Sequence, residues 1–417
     1  MTRIVMPGHI DVTSHKAWRN EAQVHDDLRY LRVNAPVSWV DREPYRPFWA
    51  VTRIADIKEV MQQNELFINE PRLTMVPKNI EALTEKQYGG RRYAVRILLD
   101  MDGPEHKTYR SITQRWFMGP GVIQLQKRID VLADRYIQEM IDAGGEIDFS
   151  TRIASQLPLT VILSILGMPD EDAPFILKMT QELLSTGDPE LARSDQGGVD
   201  VMADVAAYFG RILAERRAAP REDLTSVIAN AMVHDEAIGA LEAISYYLLI
   251  STAGHETTAA SIAGGLLAFI QNPAELEKVK RSPGVLRTGA DEIVRWVSPI
   301  RHFMRTATQD CVLGGVEIKA GDSLAMLFPS ANRDDVAFAD AYRFDIERAA
   351  QAHVGFGWGG HACLGRQIAL AEIRTFFAKL LPRLESIELA GEARPIESNF
   401  TGGYKSLPIR YRIGDAG

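Results

Sequence analysis

Apolar residues recur at a spacing near 3.6 over 126–142, 201–216 and 236–270, with Pro, Gly or Asp clusters between them, so the pattern predicts a mainly helical chain. Two short runs break that rhythm. Trp49-Ala50-Val51-Thr52 and Leu324-Ala325-Met326-Leu327-Phe328 are dense in apolar and β-branched residues and read as strands. Residues 1 to about 40 are polar and mixed and are expected to be partly irregular. There is no internal repeat and no low-complexity linker.

The stretch from Glu236 to about Ile270 is long for a globular helix. At 1.5 Å per residue it would run roughly 50 Å, which requires a central position. Its middle, Ile250 to Ala259, replaces bulky residues with small and hydroxyl-bearing ones. A missing side chain at Ala253 or Gly254 leaves room for a ligand against the backbone, whereas close helix crossing, or threonines bonding the preceding turn, would explain the same residues structurally.

Composition narrows the class. A chain of 417 residues permits two or three ordinary domains or one large one. Cys311 and Cys363 are its only cysteines, so a disulfide framework is implausible and a reducing, cytoplasmic location is expected. The segment Met1–Pro7 lacks the sustained apolar run of a signal or membrane anchor. A formal charge of −8 disfavours a nucleic-acid binder.

The densest chemistry lies in Phe356-Gly357-Trp358-Gly359-Gly360-His361-Ala362-Cys363-Leu364-Gly365, one cysteine among four glycines just before an apolar helix. Glycines let backbone N–H groups approach a thiolate closely, so Cys363 reads as an axial metal ligand and haem iron fits that environment; a structural thiol is the alternative. For Cys311, beside Gly314-Gly315, the structural reading is preferred. Glu292 and Arg295, three apart, share a helix face and suit a partly buried ion pair. His106 and Arg110, four apart after Gly103-Pro104, suit a dianionic edge, to which an arginine fork binds well. His255-Glu256-Thr257-Thr258-Ala259 lacks the second histidine of a zinc-peptidase motif, so His255 is expected to face a neighbouring polar group or water. His302 reads as a solvated or core-satisfied histidine.

The loop F-G-x-G-x-H-x-C-x-G resembles the haem-binding loop of the bacterial soluble cytochrome P-450 family, and the resemblance runs from about Trp49 to Arg410. It implies one mainly α domain with small β-sheets over residues 1–417, built on a long distal helix and a Cys-bearing proximal loop. It implies haem b with Cys363 as iron ligand, Phe356 and Gly365 flanking it, and propionates held by His106, Arg110, Arg305 and His361. Ala253-Gly254-His255-Glu256-Thr257 is similar to the family's A-G-x-[DE]-T, which places Ala253 and Gly254 against the cofactor and implies a water-mediated proton relay through Glu256 and Thr257. Arg348 matches the third member of the Glu292–Arg295 support.

The implied activity is that of a haem-thiolate monooxygenase, since a thiolate on the proximal face favours O–O cleavage. A peroxide-driven oxygenase and a haem sensor are the lesser alternatives. The stretches Phe303–Ala307, Pro329–Asp334, His353–Gly359 and Asn399–Lys405 look most like terpene-hydroxylating members, of the alpha-terpineol monooxygenase type. A compact apolar cyclic substrate, terpenoid or alkyl/aromatic hydrocarbon, is therefore expected, with a larger lipid or steroid as the alternative. Its candidate contacts are Leu73, Met75, Val76 and Ile97 in the loop Pro71–Leu98, together with Ile300 and Thr401. Other apolar members of that loop are Ile80, Tyr88, Tyr93 and Val95. Without a flavin or ferredoxin module in the sequence, electrons are expected from a separate ferredoxin and its NAD(P)H-dependent reductase. Lys107, Arg115 and Arg366 form a candidate rim for that partner, or merely a solvated patch.

Overall fold

The computed structural model describes residues 4–196 and 198–414. Within the stretch expected to be partly irregular, Glu21–Asn34 forms helix α1, capped by the Asn20 side chain, which accepts from Gln23 N at 3.2 Å. Its apolar stripe is thin, with Val24, Leu28 and Leu31 buried at i, i+4 and i+7, so a polar composition hides an amphipathic helix. Met1, Thr2 and Arg3 of the expected leaderless terminus lie outside the described residues.

Strands β1 (Val37–Val40), β2 (Phe48–Val51), β3 (Phe67–Ile68), β4 (His302–Ala307) and β5 (Ser323–Leu327) form one sheet in the order β1-β2-β5-β4-β3. Both predicted strand runs lie at its centre, where β5 runs parallel to β2 and pairs Ala325 with Ala50. Trp49 and Val51 pack in one core cluster, while Phe48 and Ala50 pack with α1 in another. Burial on both faces explains why β2 reads as a continuous apolar run rather than an alternating one.

The helical body holds helices α2 (Gly103–Gln114), α3 (Pro120–Asp142), α4 (Ala240–Ala253), α5 (Glu256–Gln271), α6 (Leu286–Val297) and α7 (Arg366–Leu380) among others. Its main core cluster draws on Ile129 of α3, Tyr247 of α4, Leu266 of α5, Ile293 of α6 and Phe377 of α7.

The long helix expected over 236–270 is corrected on two counts. Glu236–Ala237 instead pairs with Met232–Val233 around His234 and Asp235, whose φ values of 51° and 63° make the two-residue turn that suits a hairpin. The remainder is broken between Ala253 and Glu256. At the break His255 Nδ1 lies 2.7 Å from Ser251 O, and Thr257 Oγ1 donates to Ala253 O at 3.2 Å. Side chains that reach back four residues compete with the backbone ladder, and Gly254 contributes little helix propensity to resist them.

Candidate active site

The cysteine loop is shaped by its glycines. Gly357 and Gly359 have φ of 70° and 69°, and a Cβ on Gly359 would strike the Met61 carbonyl. The loop closes through Cys363 N donating to Phe356 O at 2.8 Å, and α7 starts three residues beyond Cys363. Protein surrounds Cys363, yet its side chain is exposed to a cavity, which reconciles strong desolvation with an open thiol. Burial pushes the thiol up from its ordinary value, while the N–H groups of Gly365 and Arg366 and the Arg110 guanidinium oppose that shift. Those opposing groups favour the thiolate that a metal requires.

The cavity, ≈ 580 Å³, stretches from Cys363 to the apolar residues of β4, α4 and the 73–80 segment. Phe303 and Arg305 share one face of β4 and line it, whereas Met304 points to the opposite core. On α4 and α5, Tyr246, Leu249, Ala253 and Thr257 follow one helical face into the same space. A Cβ on Gly254 would collide with Ile162 and come within 2.7 Å of Ile250 O, so glycine is needed where the break passes the cavity.

Beside the cysteine the four basic groups gather as expected. His106 stacks on His361 with ring centroids 3.8 Å apart, Arg110 Nη2 donates to Ala362 O at 2.7 Å, and Arg305 Nη1 donates to Met304 O at 2.7 Å. Buried His106 Nε2, His361 Nδ1 and Arg305 Nε have no partner. Desolvation is the largest influence on all three groups, lowering His106 to about 4, His361 to about 2 and Arg305 to about 10, and neighbouring cations add to it at the histidines. Orphaned donors next to unneutralised cations fit a bound dianion, as two haem propionates provide.

Asn69 was not visible in the sequence. Its N–H and amide hold Asp102 at 2.9 Å, and the same amide lies 2.7 Å from His361 Nε2, linking β3 to the cysteine loop. Glu372 on α7 was also missed. It lines the cavity with both carboxylate oxygens unpartnered, and burial drives its carboxyl well above the ordinary range.

Of the other expected contacts, Leu73, Met75, Val76, Ile97, Ile300, Ala253, Gly254, Phe356 and Gly365 line the cavity. Two do not. Thr401 is turned away, its hydroxyl donating to Leu184 O at 3.4 Å while its backbone bridges Ile300. Glu256 sits behind the wall, its carboxylate 3.5 Å from His255 Nε2, whereas Thr257 faces the cavity. Tyr88, Tyr93 and Val95 lie outside the lining and Ile80 is inside it, and Lys78–Gln87 within the expected loop folds as a helix. His302 is core-satisfied: Nδ1 donates to Asn399 O at 2.9 Å and Nε2 accepts from Met75 N at 3.0 Å.

Glu292 and Arg295 are fully buried and pair through two hydrogen bonds of 2.6 and 2.8 Å. Arg348 Nε approaches Glu292 Oε1 at 3.3 Å, completing the expected triad. Arg366 belongs to a different network, donating to Asp291 at 2.9 Å.

The family model for cytochrome P450 matches residues 285–411. Cytochrome P450-terp of a Pseudomonas species is 35% identical over 98% of this chain and 99% of its own length. The chain is a cytochrome P450. Linalool 8-monooxygenase of Pseudomonas putida is 31% identical, over 92% of this P450 and 95% of that enzyme. A steroid C26-monooxygenase of Rhodococcus jostii is 30% identical, over 94% and 83%. A crystal structure of a P450 from Novosphingobium aromaticivorans superposes on this one with a TM-score of 0.91 at 35% identity, covering 99% of this chain and 100% of that one. A Mycobacterium marinum P450 in complex with pseudoionone gives 0.88 at 30%, covering 97% and 99%. The protein is thus a haem b monooxygenase, and no helix among the described residues is long and apolar enough to cross a membrane.

Proposed function

We propose that this P450 hydroxylates a compact apolar cyclic substrate of the terpenoid or alkyl/aromatic hydrocarbon class. The observation that carries the reading is the cavity wall facing Cys363, built from Leu73, Val76, Ile97, Leu249, Ile300 and Phe400. Such a wall rewards apolar surface and penalises a charged group without a partner. Relatives named for linalool oxidation and for a pseudoionone complex support the terpenoid part of that class, both compounds being open-chain terpenoids. We read the whole chain as one domain, because the main core cluster takes residues from Leu98 through Tyr411.

Haem b, with Cys363 as its thiolate ligand and the His106, Arg110, Arg305 and His361 group at its propionates, would supply O2 activation and oxygen insertion into a C–H bond. Around it, the residues bind, exclude water and hold protons. His302 fixes Met75 against Asn399, so the substrate-side segment is tied to the C-terminal wall. Thr257 Oγ1, hydrogen-bonded to Ala253 O, presents a hydroxyl at the break. Behind it, His255 Nδ1–H is committed to Ser251 O, so Nε2 is an acceptor facing an acceptor oxygen of Glu256. The contact holds Glu256 behind Thr257, where the proposed water-mediated relay needs an acid.

Electrons are assigned to a ferredoxin and its NAD(P)H-dependent reductase, since relatives of P450 type cover the chain from end to end and leave no stretch within it for a flavin or iron–sulfur module. Lys107 and Arg115 remain for the partner's rim, while Arg366 is already engaged by Asp291. The test is titration of the haem-loaded protein with terpenols, monocyclic terpenes, alkylbenzenes, fatty acids and steroids, followed by turnover with ferredoxin and reductase or with peroxide alone. Coupled oxidation confined to fatty acids or steroids overturns the substrate class. Turnover with peroxide and none with ferredoxin and reductase overturns the electron source.

A further inference from the structure

A second cavity, ≈ 350 Å³, lies on the other side of the Pro299–Arg301 segment from the first: Pro299 and Ile300 line the catalytic cavity, Ser298 and Arg301 the second. Its mouth carries Glu21, Ala22 and Asp26 of α1 and Gln271 of α5, all exposed, and its floor carries Arg301 and Arg333, both buried.

The floor is cationic without matching carboxylates. Arg301 Nη1 donates to the Ser398 carbonyl, and Arg333 donates to Arg295 O at 3.1 Å and Trp296 O at 2.7 Å. Arg32, just behind, donates to Ser330 Oγ at 3.0 Å and Tyr342 OH at 2.8 Å. All five acceptors are neutral. Trp18 lies 4.6 Å from the Arg301 guanidinium and Trp296 lies 3.9 Å from that of Arg333, so aromatic faces hold both forks in place. His25 in the same wall has a buried Nδ1 with no partner. Glu292, the carboxylate that acts most on Arg333, is already shared by Arg295 and Arg348. Glu21, whose carboxylate accepts from Tyr404 OH at 3.3 Å, is the remaining acid that acts on both forks, and it sits at the mouth.

We propose that this second cavity is a binding site for a small oxyanion, carboxylate or phosphate, held by the Arg301 and Arg333 guanidinium groups with His25 beside them. Buried guanidinium groups with neutral partners are costly, and planar forks suit oxyanions. Desolvation lowers Arg301 to about 10 and Arg333 to about 9, the direction an added anion would reverse. The site shares no lining residue with the catalytic cavity. It is independent of the proposed substrate.

The experiment is isothermal titration of the haem-loaded, substrate-free protein with inorganic phosphate, succinate and acetate at constant ionic strength, with chloride as the reference anion. Saturable binding of phosphate or of a carboxylate is expected, and which of them binds identifies the ligand chemistry. Arg301→Gln should weaken it by roughly tenfold to a hundredfold, the value of one charge-assisted hydrogen bond. Because that variant removes a buried group, Glu21→Gln provides a second readout on an exposed residue: removing the acid at the mouth should tighten binding. No saturable heat with any of the three anions overturns the proposal. So does a Glu21→Gln protein that binds as weakly as, or more weakly than, the parent.

Discussion

Truncating Arg295 tests the reasoning about buried polar networks most directly. In Arg295→Ala, Glu292 loses its bidentate partner and keeps Asp345 N at 3.0 Å and Arg348 Nε at 3.3 Å. Two backbone carbonyls, those of Asn332 and Ala341, lose their side-chain donor at 2.6 and 2.9 Å, while the Arg343 carbonyl loses a bond of 3.3 Å and keeps Arg348 Nη2 at 3.1 Å. Breaking a buried pair from one side costs about 3–5 kcal/mol, since the surviving charge stays desolvated. With an unfolding entropy of about 2.1 cal/mol/K per residue, a chain of 417 residues should then show a Tm lower by roughly 3–6 °C. The assay is calorimetry of protein at matched haem occupancy, with haem release to an apo-globin acceptor measured in parallel. The exposed pair Lys319–Asp310, 57% and 62% exposed, is the control. Lys319→Ala should leave the unfolding transition and haem release unchanged, since solvent screens an exposed pair. If Arg295→Ala unfolds within a degree of the parent and retains haem equally, the network does not carry the stability assigned to it.

Cys363→Ala should abolish thiolate ligation, read as loss of the iron–sulfur signature in resonance Raman spectra; an unchanged signature excludes Cys363 as the ligand. Thr257→Ala should leave the fold intact and lower product formed per reducing equivalent while raising peroxide release, and Glu256→Gln should do the same; unchanged coupling in both defeats the relay role. His302 has a folded pKa of about 4 against an ordinary 6.5, set first by burial and opposed by its bond to Asn399. The unfolded chain therefore binds a proton that the folded one refuses, so stability is retained above pH 6.5 and lost as pH falls towards 4, by about 3 kcal/mol from this group. His302→Gln should flatten that limb of the stability–pH curve, and an identical limb in the variant rejects the assignment.

The motifs legible in the sequence are those whose partners are close in the chain or whose backbone demands a residue type. The cysteine loop, the Glu292–Arg295 pair and the His106–Arg110 spacing are of this kind, because glycine conformations and helical phase are local properties. The strand runs at 49–52 and 324–328 were legible because burial on both faces leaves an unbroken apolar signature. The helix at 21–34 was hidden, since a three-residue apolar stripe barely alters a polar composition. Tertiary structure alone decided which way the neighbours on the distal helix face. Glu256 and Thr257 are adjacent, so about 100° of helical rotation separates them and places only Thr257 in the cavity. It also decided that Asn69 meets His361, that His302 holds Met75 to Asn399, and that Arg301 and Arg333 share a cavity whose carboxylates, Glu21 and Asp26, stand at the mouth. These partners come from distant parts of the chain. Periodicity records which face of an element is buried, but only packing determines what that face meets.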